Sequence, residues 1–256
     1  MINLSSLSNL TKLSLSGLNF EKICNPLLFP SLSNLQLSSS INIHKLLQNL
    51  PHNILFQLVS LNLEDSIISN NQINIMKECF ENLANLKELN ISNCEINMEL
   101  FSPSLKSLIH IEKLFISNNI WKESSILNFS NILSLFINLN TFDISSSKKP
   151  HMINPSMTKF IILSLLKCTK LENLNFSHLL FDYESFDYLF VLIRKNENLS
   201  QLSLRNTSLS NENLFSLLKN NKLLLNLTML NIGQNPIDDN CLNSLFQIKD
   251  KIFKMN

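Results

Sequence analysis

Glycine occurs only twice in the 256 residues, at Gly17 and Gly233, and alanine once, at Ala84. A phosphate-binding loop needs clustered glycines so that the backbone can approach the anion, which excludes nucleotide cradles of the P-loop and dinucleotide types. Arginine is as scarce, with Arg194 and Arg205 alone. Lys and Arg total 21 against 20 Asp and Glu, leaving a net charge of +1. Such a balance spreads no field that would draw nucleic acid or an anionic membrane, so neither is an expected partner. Apolar runs are short, as at 160–166, far below the roughly 20 residues that a helical membrane span requires. The start, Met1-Ile2-Asn3-Leu4, has no basic segment followed by a continuous apolar run, so no signal peptide is expected and the chain reads as cytoplasmic.

Catalytic and metal-binding signatures are equally sparse. His44, His52, His110, His151 and His178 are scattered, with no pair at metal-ligand spacing, and read as surface or loop residues. No Gly-x-Ser-x-Gly elbow is present. Cys24, Cys79, Cys94, Cys168 and Cys241 are odd in number and lack CxxC spacing, which suits free thiols in a reducing compartment. The expectation is therefore a protein that is not an enzyme and holds neither metal nor cofactor.

What the chain has in abundance is a repeated pattern. The spacing L-x-x-L-x-L starts at Leu10, Leu32, Leu58, Leu86, Ile111, Leu139, Leu171, Leu199 and Leu227, nine copies at uneven but comparable intervals. All three apolar positions hold a large hydrophobic residue in every copy, although only 45% of the chain is hydrophobic. Positions four and six lie two apart and share one face of a short strand. Positions three, five and seven take the other face and read as polar, for example Ser60, Asn62 and Glu64.

Further along each copy, at a fixed offset from its start, another apolar column recurs at Phe20, Ile68, Ile96, Trp121, Phe181, Leu209 and Ile237, broken by Asn42 and Lys149. Ser69, Asn97, Asp182, Ser210 and Asp238 follow, residue types whose oxygens cap helix N-termini. Helix-spaced apolar residues come next, such as Leu214, Leu217 and Leu218, or Leu242, Leu245 and Phe246. Each unit is thus strand, loop, helix. One unit cannot bury its own edge, but stacked units can, and helices are wider than strands, so the stack curves with the sheet inside.

This motif resembles the leucine-rich repeat, and the longer copies, which have room for a full helix, resemble its ribonuclease-inhibitor-like subclass. The resemblance implies an α/β solenoid, a curved horseshoe with a parallel β-sheet on the concave face and helices on the convex face. The domain spans residues 1–256, with residues 1–9 reading as the tail of a preceding helix and the whole as a possible fragment of a longer array. The family's ninth position ties adjacent turns through a side chain and matches at Cys94, Asn119, Thr207 and Asn235. Leu18 and Leu179 occupy it in two other copies and predict looser turns. Copy six, from Leu139 to the next start at Leu171, is the longest and places its extra length at Ser145–Pro150.

The family's usual role implies a protein-interaction module that binds another protein on the concave sheet. Phe115 is the anomaly of that face, an aromatic in a column otherwise filled by Ser14, Gln36, Asn62, Asn90, Asp143, Asn175, Ser203 and Asn231. Aromatic residues dominate interface hot spots. Phe115 with Asn90, Lys113, Asp143, Asn175, Glu88 and Arg205 forms the candidate partner-binding set, and Trp121 is read as core. Two alternatives follow from the resemblance: a GTPase-activating protein of the Ran type, for which Arg205 reads as strand rather than loop, and the scaffold portion of a cytoskeletal regulator. Thiol titration of the denatured, unreduced protein is expected to count five. A count of three or one would reveal disulfides and place the chain in a secretory setting.

Overall fold

The computed structural model describes residues 8–22, 29–147, 153–219 and 226–243. Nine three-residue strands form one sheet in chain order. They are β1 Lys12–Ser14, β2 Asn34–Gln36, β3 Ser60–Asn62, β4 Glu88–Asn90, β5 Lys113–Phe115, β6 Thr141–Asp143, β7 Asn173–Asn175, β8 Gln201–Ser203 and β9 Met229–Asn231. Every strand is motif positions three to five, and every neighbour pair is parallel with position four opposite position four. The alignment of copies in the sequence is therefore the register of the sheet.

Pairing continues beyond the strands. The position-six and position-eight N–H groups donate to carbonyls of the next copy, as Leu63 to Asn90 (2.7 Å) and Asp65 to Ser92 (3.0 Å). Position eight then turns left-handed: Gly17, Ser39, Asp65, Asn93, Asn118, His178, Asn206 and Gln234 all have φ between 53 and 73°. Gly, Asn and Asp tolerate that region, while Ser39, His178 and Gln234 are held there by the surrounding turn. Copy six differs, since its position-eight residue, Ser146, is not in this left-handed set.

Position nine carries the inter-copy rungs. Its side chain reaches the position-six carbonyl of the preceding copy: Ser40 to Leu15 (3.4 Å), Ser66 to Leu37 (3.1 Å), Cys94 to Leu63 (3.0 Å), Asn119 to Ile91 (2.9 Å) and Asn235 to Leu204 (2.6 Å). Asn119 and Asn235 also accept from the preceding turn, at the N–H groups of Ile96 (3.0 Å) and Leu209 (3.0 Å). The motif match is extended at two serines and qualified at one threonine. Ser40 and Ser66 make the bond although the motif match omits them, because a hydroxyl reaches as well as an amide. Thr207, which the motif match includes, does tie adjacent turns, but its hydroxyl reaches Leu204 of its own copy (2.8 Å) and Asn235 Oδ1 of the next (3.4 Å) rather than the preceding copy. The aliphatic side chains of Leu18 and Leu179 make no such bond; Leu18 is exposed, whereas Leu179 is buried in the core.

Behind the sheet lie α1 Ile43–Asn49, α2 His52–Gln57, α3 Asn70–Glu81, α4 Met98–Phe101, α5 Glu123–Leu133, α6 Pro155–Leu165, α7 Tyr183–Lys195 and α8 Asn211–Leu218. The cap column behaves as expected at Asn97, Asp182, Ser210 and Asp238, whose side-chain oxygens accept from Glu99, Ser185, Asn213 and Cys241 N–H groups. At Ser69 the backbone N–H donates to Gln72 Oε1 at 3.1 Å. Copy four, short between its start at Leu86 and the next at Ile111, has a helix of a single turn and follows it with a 3-10 stretch, Ser102–Ser107. In copy six the insertion shifts both columns along the chain. Ile153, fully buried, replaces Lys149 as the apolar residue, and Asn154 caps α6 through Met157 N–H at 3.0 Å. Residues 1–7 of the expected helix tail, Cys24, the loop tip 148–152 and the C-terminal Leu245, Phe246, Ile248, Ile252 and Phe253 lie outside the described residues.

The buried columns are continuous. Position four is buried from Leu35 to Leu202, and Leu13 and Leu230 are only half-buried because β1 and β9 are the end strands of the sheet and each pairs on one side alone. Through copies five to seven the core becomes aromatic: Trp121–Phe129, Phe129–Phe142, Phe142–Phe176, Phe176–Phe181 and Phe181–Phe186 follow one another with ring centroids 4.8 to 6.5 Å apart. Trp121 is core, as expected. Leu202 has no exposed surface, so Leu202→Asp buries an unpaired charge and is expected to cost roughly 3 kcal/mol or more. A thermal melt in which this variant matches the parent would contradict the register.

Candidate functional site

The polar face of the sheet hollows into two shallow troughs. One, of about 510 Å³, lies over β5–β9, where Phe115 and Met229 bound a floor made chiefly of Asp143, Asn173, Asn175 and Gln201. The other, of about 350 Å³, lies over β1–β4 and is lined by Lys12, Gln36, Asn62, Glu88 and their neighbours. Of the predicted set, Phe115, Lys113, Asp143 and Asn175 share the larger trough. Glu88 joins them through an ion pair to Lys113 at 3.3 Å, and Asn90 stands opposite Phe115 in the register. Arg205 stands apart. It lies in the turn after β8, not in a strand, is exposed, and its Nε donates to Gln234 Oε1 at 3.2 Å.

Three physical details change the reading of this face. Phe115 is half-buried rather than directed into water. A large ring between short polar neighbours lowers its free energy by lying against the sheet. The position-seven serines Ser92, Ser117, Ser145 and Ser177 are buried rather than solvent-facing, because a short side chain beside the turn is shaded by longer neighbours. Most informative is position five. Its Asn or Asp oxygen accepts from the N–H two residues on: Asn62 from Glu64 (2.8 Å), Asn90 from Ser92 (3.0 Å), Asp143 from Ser145 (2.9 Å) and Asn175 from Ser177 (3.1 Å). These are Asx turns that end the strand and aim the next residues into the loop. The column is thus polar first for a structural reason, and Phe115 sits at a position where that device is given up.

The second oxygen or the amide nitrogen remains for lateral contacts. Asn90 Nδ2 donates to Glu64 Oε2 (3.1 Å) and Asn175 Nδ2 to Asp143 Oδ2 (2.9 Å). The floor also holds a buried oxygen, Asn173 Oδ1, with no hydrogen-bond partner among the described residues, while the nitrogen of the same amide donates to Thr141 at 3.1 Å. Met229 is absent from the predicted set although the same signal marks it. It is an apolar residue in the position-three column, and it is 46% exposed.

The leucine-rich pattern, its register and its rungs together decide the architecture. The chain is a leucine-rich-repeat solenoid. No protein-family model matches this sequence, and no curated protein is similar enough to match. Among solved structures, the repeat array is similar to a Listeria monocytogenes internalin, inlF, at 16% identity and a TM-score of 0.41, covering 94% of this chain and 86% of that one. It is also similar to internalin C2, inlC2, of the same organism at 16% identity and a TM-score of 0.48, covering 92% of this chain and 76% of that one.

The remaining titratable groups sit in the frame. Among the described residues no group of three His, Cys, Asp or Glu is placed to hold a metal, and no helix is long and apolar enough to cross a membrane. Cys79, Cys94, Cys168 and Cys241 are buried thiols outside any disulfide, and burial pushes Cys79 to about 11 and Cys168 to about 12. His178 occupies the turn after β7 with Nδ1 3.1 Å from Asn206 Nδ2. His44 corrects the surface assignment: it is buried on α1, and its Nδ1 has no partner among the described residues. Burial, aided by Lys45, lowers its pKa below the ordinary value of 6.5, with Glu21 opposing. The folded chain therefore binds fewer protons at His44 than the unfolded chain. Stability from this residue is intact above about pH 6.5 and falls as the pH drops through that value toward the lower folded pKa. The melting temperature of the parent is expected to fall more steeply from pH 7 to 5 than that of His44→Leu, as read by parallel thermal melts; identical slopes would contradict it.

Proposed function

We propose that this chain is a protein-interaction module whose partner, another protein, docks on the sheet face over β5–β9. The observation that supports this reading best is the trough bounded by Phe115 and Met229, apolar at both ends with an amide floor between. A repeat frame presents these groups already ordered, so little conformational entropy is lost on docking. The near-neutral floor favours recognition by shape and hydrogen bonds over electrostatic steering. The arrangement is of the ribonuclease-inhibitor-like kind, with full helices in most copies, and the setting is cytoplasmic, consistent with the free thiols.

A GTPase-activating role of the Ran type is the second reading, and one observation favours it: Arg205 lies on an exposed turn rather than in a strand. Stimulation of GTP hydrolysis that is lost in Arg205→Ala would establish it. A cytoskeletal scaffold role is a special case of the interaction reading.

Affinity capture from the source cell, with Phe115→Ala bait in parallel, gives the test. Phe115→Ala is expected to weaken the captured partner by about 1–3 kcal/mol. Its half-buried ring also makes a loss of about 1 kcal/mol in stability an expected side effect. Met229→Ser should weaken binding in the same direction, and Ser14→Ala, on β1 and outside the trough, should leave it unchanged. Equal losses at Ser14 and Phe115 would show that the partner docks elsewhere.

A further inference from the structure

The rungs at position nine are not evenly distributed. They cross the four junctions between copies one and five, and the junction between copies eight and nine. At the three junctions between, position nine does something else. Ser147 turns its hydroxyl to the Asn118 side chain at 3.4 Å, Leu179 is aliphatic, and Thr207 turns to its own copy and forward to Asn235 rather than back to copy seven. Two of these junctions keep sheet-face bonds, Asn173 to Thr141, Asn175 to Asp143, Ser177 to Ser203 and His178 to Asn206, at 2.7 to 3.1 Å, as rung-bearing junctions do at Asn90 to Glu64 and Asn118 to Asn93, and copies six and seven are also tied behind the turn by Thr158 Oγ1 to Leu180 O (2.8 Å) and Ser185 Oγ to Pro155 O (3.2 Å). Inside, the core at the same place is the aromatic series Phe129, Phe142, Phe176 and Phe181.

These two kinds of junction respond differently to bending. A buried rung fixes a donor–acceptor distance in a low-dielectric setting, and stretching it leaves polar groups unpaired at a cost. Ring-on-ring contact has preferred geometries, but along this series they run from stacked to edge-on, so no single arrangement is imposed on the junctions. The part-buried hydrogen bonds on the sheet face compete with water and with anything that docks there, whereas the Ser177–Ser203 pair is buried. The larger trough spans these three junctions, whereas the smaller one lies wholly over rung-bearing copies.

We propose that copies six to eight form a compliant joint, so that the trough over β5–β9 adjusts its curvature while β1–β5 stays rigid. The joint is a property of the frame. Its use in accommodating a partner rests on the binding role proposed above.

Native-state hydrogen exchange on the full chain tests the joint without any partner. Equivalent position-six and position-eight amides cross each junction: Ile144, Ser146, Phe176 and His178 in the joint, and Leu63, Asp65, Ile91 and Asn93 in the rung-bearing half. The joint set is expected to exchange about tenfold faster, the effect of one modest hydrogen bond. Equal or slower exchange overturns the proposal. Removing a rung with Asn119→Ala should bring Ile91 and Asn93 up to the joint's rate. Thr207→Asn, which places the residue used at Asn119 and Asn235 in the same position, should slow Phe176 and His178 by a similar factor and leave Leu63 unaffected. If Asn119→Ala leaves Ile91 and Asn93 unchanged, rungs do not govern the junctions and the proposal fails, whatever a search for partners finds.

Discussion

Three-residue strands are too short to hold themselves together, and everything else follows from how they are made to persist. Each contributes few hydrogen bonds of its own, but the position-six and position-eight amides extend the pairing into the turn on the same neighbour. In eight of the nine copies position eight is left-handed where the chain leaves the sheet, and Ser146 keeps the same bond, to Ser177 O, without that turn. Position nine then has to dispose of carbonyls that the turn leaves facing the core, where an unpaired acceptor is costly. The apolar columns supply most of the free energy of stacking, but the turn decides that units stack in one register. One device serves many junctions, so stability is distributed as a sum over neighbours rather than centred on one core.

The same turn limits what the sheet face can offer a partner. Position five is committed to its Asx contact in most copies, so its amide nitrogen or remaining oxygen is the only part left for recognition there. Phe115 and Met229 stand out because they abandon the polar rule, in different columns and four strands apart. A residue that gives up a local structural contact in an otherwise regular array gains something else or costs stability. Here the apolar ends flank a floor that also holds an unpaired buried acceptor at Asn173, and these departures from regularity coincide in one trough.

The nine-copy register is legible because it depends on one rule, large apolar side chains two residues apart, repeated often enough to be beyond accident. The helix caps are legible for the same reason, and so is the burial of Trp121. Less can be read where chemistry has synonyms. Ser40 and Ser66 do the work of an asparagine, and Thr207 resembles a rung residue but bonds to its own copy and forward to the next; which carbonyl a hydroxyl selects depends on backbone distances absent from a pattern. Position eight is readable in principle from Gly17, Asp65, Asn93, Asn118 and Asn206, but Ser39, His178 and Gln234 dilute the column. The insertion in copy six displaces two columns at once, and a fixed offset cannot follow it to Ile153 and Asn154. The pattern misplaces Arg205 because the strands stop at position five while the apolar spacing continues to six. Of the candidate set, the four residues gathered in the trough follow from the register. The partial burial of Phe115 does not, since it depends on a side-chain conformation that the strand's alternation leaves open.

The exchange of polar rungs for aromatic rings in the middle copies shows how one fold meets two demands. A rung gives direction: its donor and acceptor must stay within hydrogen-bond reach, so adjacent turns are locked. An aromatic pair gives area, and area is indifferent to small rotations. Where copy six lengthens and loses the left-handed turn at Ser146, a rung of the usual geometry has no fixed place to form. Phe142 in the position-four column and Phe176 in the position-six column are the single exceptions to Leu or Ile there, and their larger rings fill the space that an irregular turn would otherwise leave as a void. In copy six the insertion, the missing rung and Phe142 are therefore one accommodation, whereas at Leu179 and Thr207 the left-handed turn at His178 and Asn206 persists and the rung is lost through the side chain alone; at each of these junctions volume in the core takes over from directional bonding in the turn.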